Sequence, residues 1–139
     1  MTACVFCQII SGEIPSAKIY EDENILAFLD ITQTTKGHTL VIPKQHIRNI
    51  FEMPEETAAT IGRKLPRLAA QIKEKLGASG MNIINNNEAV AYQSVFHAHI
   101  HLIPRYSKTD DFAINFSNHQ ADYPSHELLS IAESLKIEN

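Results

Sequence analysis

Three histidines in strict alternation constrain this chain more than any other feature of its sequence. His97, His99 and His101 lie in a segment of mostly apolar, branched and aromatic residues, 95–103, which favours a β-strand. Successive side chains of a strand point to opposite faces, so the three imidazoles are expected on one face at intervals of roughly 6.5–7 Å. A neutral imidazole nitrogen is both a good metal ligand and a good nucleophile. The pattern therefore indicates a metal site or a catalytic site rather than a solvated face.

Length and composition are those of one globular domain. The chain has 139 residues, of which 44% are hydrophobic, and this length is enough to bury about two-thirds of the unfolded surface. The net charge of −4 argues against an extended nucleic-acid interface, and no apolar run in the sequence reaches the length of a membrane span. The first residues, 1–4, do not resemble a signal peptide, so we expect a cytoplasmic protein with neither nucleic acid nor membrane as a partner.

The order of the predicted elements indicates an α+β fold. Five segments have the residue types or alternation of β-strands: 17–21, 25–29, 38–43, 81–84 and 93–104. Three segments have helical patterns: 4–12, about 54–76 and about 125–137. Pro66 lies within the second helix and predicts a kink there. The sequence thus predicts an antiparallel five-stranded sheet with one long helix and a C-terminal helix.

The two cysteines give a second chemical signal. Cys4 and Cys7 have the spacing of one half of a tetrahedral zinc site. The sequence contains no second cysteine pair, so the remaining ligands of such a site would have to be histidines. From the residues alone, a reduced pair without metal and a redox-active pair stay open as alternatives.

The segment His97–Ile103 fits the pattern His-φ-His-φ-His-φ-φ, where φ is apolar, and resembles the signature of the histidine triad (HIT) family of nucleotide hydrolases and transferases. Flanking segments are similar to the Hint branch of that family, in the same order: 4–12, 21–30, 37–44, 85–87 and 93–95. The resemblance implies a single HIT domain over 1–139, with a core at about 4–106 and a C-terminal extension at about 107–139. It also implies a homodimer whose sheets combine across the long helix and the fourth strand.

The resemblance further implies an enzyme that binds purine nucleoside monophosphates. Such enzymes cleave the P–N bond of adenosine phosphoramidates, or hydrolyse related aminoacyl adenylates, through a covalent nucleotidyl-histidine intermediate. His99 is the expected nucleophile. The other expected catalytic residues are His101, at a phosphate or leaving-group oxygen, His38, as a support for His99, and Ser94 and Gln93, as donors to the phosphate and leaving group.

The same resemblance assigns nucleotide-binding roles. Asp30 is expected to accept hydrogen bonds from both ribose hydroxyls, since a carboxylate has two oxygens. Four apolar residues are expected to sandwich the purine: Phe6, Ile9, Phe28 and Ile31. The expected phosphate contacts are Asn86, Ser94, His99 and His101.

For the cysteine pair, the resemblance to bacterial relatives implies a closed, structural zinc site. The expected ligands are Cys4, Cys7, His46 and His97. A closed four-ligand site has no open position for substrate, so its zinc would not be catalytic. Three alternatives to the phosphoramidate hydrolase remain: a dinucleoside polyphosphate hydrolase, a non-enzymatic nucleotide-binding adaptor, and a protein that only binds zinc.

Overall fold

The computed structural model describes residues 4–139, and residues 1–3, which contributed to the argument against a signal peptide, lie outside it. The three helices are α1 (Val5–Ser11), α2 (Glu55–Leu76) and α3 (Ser125–Leu135). The five strands are β1 (Lys18–Glu21), β2 (Ile25–Leu29), β3 (Thr39–Pro43), β4 (Gly80–Ile84) and β5 (Ile100–Arg105). Three single turns of 3₁₀ helix occur at Ile50–Glu52, Ala89–Ala91 and Gln120–Asp122.

The strands form one antiparallel sheet in the order β1-β2-β3-β5-β4, which confirms the predicted α+β fold. The two helices that precede β4 cover opposite faces of this sheet. Against α1 lies a core of Phe6, Ile9, Leu26, Phe28, Leu40 and Ile42. Against α2 lies a core of Ile25, Ala27, Val41, Ile61, Ile72 and Leu102. Since Leu40 pairs with His101 across β3 and β5, the His101 side chain belongs to the α1 face.

The predicted fifth strand is wrong in its first half. Regular strand begins only at Ile100, so His97 and His99 precede β5 in irregular backbone. The backbone groups there have partners outside a strand ladder: the Ala98 N–H donates to the Ile47 carbonyl at 2.7 Å, and the His99 carbonyl accepts from the Asn85 side chain at 2.9 Å. Side-chain and loop hydrogen bonds have displaced the regular pairing that the sequence pattern predicted.

The long helix α2 has the ends that its sequence predicts. Pro54 precedes the first turn, which carries two glutamates, and Gly77 ends the helix with a φ of 65°. The helix continues through Pro66. By contrast, residues 113–139, including α3, are exposed along their whole length. Within the described residues, no helix combines the length and apolarity needed to span a membrane.

Candidate functional site

A cleft of about 730 Å³ opens on the α1 face of the sheet. One part of its lining is apolar and comes from α1, β2 and the residues after them: Phe6, Ile9, Phe28 and Ile31. The other part carries polar groups: Asp30, Ser94, His99 and His101. Ile31 is 98% exposed, so its side chain offers apolar surface that a bound ring could cover. The cleft therefore combines an apolar part with a part that carries ionisable side chains.

The position of the proton on His99 follows from a backbone partner of its ring. Its Nδ1 lies 2.8 Å from the carbonyl oxygen of His97, and a carbonyl oxygen can only accept a hydrogen bond. The Nδ1 therefore carries the proton of the neutral ring, which leaves a lone pair on Nε2. Burial lowers the pKa of His99 below its ordinary value, although the His97 carbonyl and Asp30 act in the opposite direction. His99 is thus a neutral imidazole near pH 7, with a lone pair on Nε2 that could act as a base or a nucleophile.

A second chain of hydrogen bonds sets the proton of His101. The backbone N–H of Thr34 donates to Nδ1 of His38 at 3.3 Å, so the neutral His38 ring carries its proton on Nε2. That Nε2–H lies 2.9 Å from Nδ1 of His101 and donates to it. The proton of neutral His101 is therefore on Nε2. The centroids of the His101 and His99 rings are 5.1 Å apart, so the ring that carries this donor lies next to His99.

The His38 ring, expected as a support for His99, hydrogen-bonds directly to His101, whose ring lies next to that of His99. Burial lowers the pKa of His38, and it lowers the pKa of His101 to about 4 with additional contributions from His99 and His38. Both rings are therefore uncharged near pH 7.

Asp30 supplies the carboxylate of the cleft. Its Oδ1 accepts hydrogen bonds from the backbone N–H and the hydroxyl of Thr32, at 2.8 and 2.6 Å. Its Oδ2 lies 3.7 Å from Nε2 of His38. Burial opposes ionisation of Asp30, but the bonds from Thr32 and the proximity of His38 and His101 outweigh it and lower the pKa. The carboxylate is ionised and can accept hydroxyl groups of a ligand.

Gln93 does not reach the cleft, contrary to its expected catalytic role. Its side chain is 3% exposed, and its amide nitrogen donates to the carbonyls of Arg48 and Val95 at 2.8 and 3.0 Å. Its amide oxygen accepts from the Glu88 N–H at 2.8 Å and from the Asn49 side chain at 3.2 Å. All of its hydrogen-bonding positions are occupied, so Gln93 holds two loops together and has no donor left for a leaving group.

The asparagine that contacts His99 is Asn85, which sequence reasoning missed. Its side chain donates to the His99 carbonyl at 2.9 Å, and Asn87 in turn donates to the Asn85 side chain at 2.7 Å. Asn86, the expected phosphate contact, is not among the residues that line the cleft. Three consecutive asparagines give no signal in one sequence that distinguishes them.

Cys4, Cys7, His46 and His97 meet behind the cleft. Their ligand atoms all lie within 4.8 Å of one another. Nδ1 of His97 is 3.5 and 3.6 Å from the sulfurs of Cys4 and Cys7, and Nδ1 of His46 is 3.2 Å from the sulfur of Cys7. A zinc tetrahedron with Zn–S of about 2.3 Å and Zn–N of about 2.0–2.1 Å has S···N edges of about 3.6 Å. The four residues therefore fit a zinc ion.

The outer contacts of this centre also fit a metal. The Nε2–H of His97 donates to the carbonyl of Pro43 at 2.8 Å, which leaves the Nδ1 lone pair for a ligand bond. Without a cation, burial and the neighbouring Cys4 raise the pKa of the Cys7 thiol to about 11. A bound dication would reverse this, because a coordinated thiol is deprotonated. The sequence predicted that the three alternating histidines share one face. This prediction is wrong for His97, which does not line the cleft.

The HIT domain model matches residues 11–108. The chain therefore belongs to the HIT family, as the histidine motif predicted. Protein hit of Bacillus subtilis is 51% identical over 132 residues, which cover 95% of this chain and 91% of that protein. The adenosine 5′-monophosphoramidase hnt1 of Schizosaccharomyces pombe is 43% identical over 103 residues, which cover 74% of each chain.

Solved structures give the same result for the fold. The crystal structure of a HIT family member from Bacillus subtilis superposes with a TM-score of 0.95 at 48% identity and covers 99% of both chains. A zinc-bound histidine triad family protein from Mycobacterium smegmatis has a TM-score of 0.75 at 38% identity, over 96% of this chain and 98% of that one. The architecture around the cleft is therefore that of HIT proteins.

Because the folded chain holds His38 and His101 neutral, its stability should depend on pH in a defined direction. Histidine in the unfolded chain takes up a proton near its ordinary pKa of 6.5, whereas folded His101 does so only at about 4. Between these values the unfolded state binds more protons, so the free energy of unfolding should fall as the pH falls. Urea denaturation at about pH 7.5 and about pH 5 measures this difference.

Two variants identify the source of that pH dependence. His101→Gln should reduce the loss of stability on acidification, since one low-pKa imidazole is gone. The matched control is His119→Gln, which removes an exposed histidine of the C-terminal segment and should leave the loss unchanged. Equal stability of the wild-type chain at both pH values would contradict the assignment of neutral rings.

Proposed function

We propose that the protein is a hydrolase that cleaves the P–N bond of adenosine or other purine nucleoside phosphoramidates. The observation that carries this proposal is the free Nε2 lone pair of His99 in a cleft that joins an apolar pocket to a carboxylate. The apolar pocket suits a purine, and Asp30 suits the ribose hydroxyls. The activity named for the Schizosaccharomyces pombe relative supports the choice of a phosphoramidate.

The first chemical step uses the neutral His99. Its Nε2 attacks phosphorus, an N–P bond to the ring forms, and the P–N bond of the substrate breaks. The Nε2–H of His101 donates a hydrogen bond to a phosphoryl oxygen, which stabilises the negative charge there. The departing nitrogen takes up a proton from solvent at the rim of the cleft, where Ser94 is exposed.

The second step restores the enzyme. Water attacks phosphorus, the N–P bond to His99 breaks, and the nucleoside monophosphate leaves. The proton that water releases balances the one taken up by the amine. Throughout both steps the His97 carbonyl holds the Nδ1–H of His99, so the reacting nitrogen keeps one orientation.

A rapid-quench mass measurement tests the nucleophile. Wild-type protein mixed with an adenosine phosphoramidate should carry an added adenylyl group, and His99→Ala should carry none. Turnover of the variant should fall at least roughly a thousandfold, because the covalent route is lost. The matched control, His119→Ala, changes an exposed histidine outside the cleft and should keep both the adduct and the turnover.

The same experiment separates the remaining alternatives. A diadenosine polyphosphate would give the same adduct with a phosphate leaving group, so faster turnover of that compound would favour the polyphosphate hydrolase. Nucleotide binding without an adduct or hydrolysis would favour the non-enzymatic adaptor. Absence of binding, adduct and hydrolysis in the wild-type chain would reject the proposed activity.

We also propose that the four-residue centre holds a structural zinc ion, as the distances among its ligand atoms and the zinc-bound Mycobacterium smegmatis neighbour suggest. When bound, zinc would supply a closed cross-link between α1, the loop after β3 and the histidine segment, with no position for substrate. A centre of this kind needs reduced cysteines, which agrees with the cytoplasmic location expected from the sequence.

Metal analysis of protein purified with zinc and reductant tests this centre. The wild-type chain should contain one zinc ion, and His46→Ala should contain much less and melt at a lower temperature, because metal binding contributes to folding stability. His126→Ala changes an exposed histidine of α3 and should match the wild type. Zinc content that is unaffected by His46→Ala would place the metal elsewhere.

A homodimer is the third proposal, and exposed apolar surface supports it. The strand β4 is at the edge of the sheet, where its Ile83 is 50% exposed. The exposed C-terminal segment carries further large apolar side chains: Phe116, Leu128, Leu129, Leu135 and Ile137. An open edge strand and apolar patches of this kind are typical of surfaces that another chain covers.

Light scattering of the full chain measures the oligomer. The wild type should have twice the chain mass of 15.6 kDa, and Ile83→Lys should shift the population toward the monomer, since it places a charge at the paired edge. Ile19→Lys is the matched control, because Ile19 is 45% exposed on β1 at the opposite edge. A monomeric wild type, or equal disruption by both variants, would contradict a dimer through β4.

A further inference from the structure

We propose that the cysteine–histidine centre positions both the nucleophile and the aromatic wall of the cleft, so that Cys7 and His46 act on the reaction through other residues. This inference rests on the proposed function of the cleft. In this view Cys7 and His46 are positioning residues for His99. The centre then does more than cross-link and stabilise the fold.

The first route from the centre to the nucleophile passes through one peptide unit. The carbonyl of His97 accepts the Nδ1–H of His99 at 2.8 Å, and the N–H of the same peptide, on Ala98, donates to the Ile47 carbonyl at 2.7 Å. A trans peptide holds its C=O and N–H in opposite directions, so the position of Ile47 sets the direction of the His97 carbonyl. Ile47 directly follows His46, a residue of the centre. A shift of His46 therefore moves the acceptor that fixes the His99 tautomer.

The His97 ring supplies the other support of that peptide. Its Nε2–H is bound to the Pro43 carbonyl and its Nδ1 faces the two sulfurs, so both ring nitrogens are held. The residue is fully buried and lies in irregular backbone before β5. Because strand pairing does not hold this segment, its path depends on the ring contacts of His97, on the bond from Ala98 to Ile47 and on the bond from the Asn85 side chain to the His99 carbonyl.

The second route passes through Phe6, which lies between the two cysteines in sequence. Its ring meets the His99 ring edge to face, with centroids 5.1 Å apart and an interplanar angle of 86°, and it contacts His97 at 5.9 Å. Phe6 also lines the apolar pocket. Helix α1 has only seven residues, too few for an isolated helix to be stable, so its position depends on its anchors. The two cysteines are such anchors at its first turn.

Three variants of the full chain test the proposal. Cys7→Ser removes a ligand, Cys7→His restores one with a different donor, and Gln8→Ala changes the next residue of α1 outside the centre. Each protein is measured for bound zinc, for the ring-nitrogen NMR shifts of His99, and for its Kd for AMP. The tautomer measurement needs neither substrate nor turnover, so it does not depend on the activity of the metal-loaded enzyme.

In the wild type and in Gln8→Ala, we expect one zinc ion and a single His99 tautomer protonated on Nδ1. In Cys7→Ser, we expect loss of zinc, a mixture that includes the Nε2-protonated tautomer, and a Kd for AMP raised roughly tenfold or more. In Cys7→His, zinc, the single tautomer and the AMP affinity should all return. A purely structural centre would change stability and leave the tautomer alone.

The proposal is overturned if Cys7→Ser loses zinc and still shows the pure Nδ1 tautomer with wild-type AMP affinity. If Cys7→Ser does not fold, Cys7→His decides: a folded, zinc-loaded protein with mixed tautomers also overturns it. Failure of the proposed function has a different signature, because then the wild type forms no adenylyl adduct and binds no AMP, whatever the His99 tautomer.

Discussion

The chemistry of this site depends on backbone groups that can act in a hydrogen bond only as an acceptor or only as a donor. The carbonyls of His97 and Pro43 can only accept, and the N–H of Thr34 can only donate. Each is paired with one nitrogen of a buried imidazole, so the fold decides which nitrogen of that ring carries the proton. The tautomer of His38 then sets the tautomer of His101, because the two rings share a hydrogen bond. A neutral imidazole has two tautomers of similar energy in water, and here fixed backbone partners select one of them.

The choice of tautomer matters near neutral pH because burial keeps these imidazoles uncharged. A protonated imidazole donates from both nitrogens and has no lone pair, so a charged ring in the cleft would be useless as a nucleophile. Removal from water disfavours the charged form, and the crowding of His99, His38 and His101 disfavours it further for His101. Asp30 acts against this trend through its charge. The lowered pKa values show that desolvation wins over one nearby carboxylate.

The fold could be predicted well from the sequence, because hydrophobic periodicity and the residues that end helices and strands are local signals. The Ile25–Leu29 strand, the long helix ending at Gly77 and the five-stranded antiparallel sheet were all predictable in that way. The role of Gln93 and the direct partner of His38 were not, because both depend on residues more than forty positions away. Whether an amide faces a cleft or bridges two loops is decided by tertiary contacts, which a resemblance in residue type does not reveal.

The three alternating histidines show how a small departure from regular structure separates functions. In a strand continued back from Ile100, His97 would join His99 and His101 on the face of the cleft. Instead the backbone before β5 bonds to the Ile47 loop, and the His97 ring lies against the cysteines. His99 and His101 keep the alternation and line the cleft together. One i, i+2, i+4 motif therefore provides a candidate metal ligand on one side and a candidate nucleophile with its neighbouring donor on the other, joined through the His97 carbonyl.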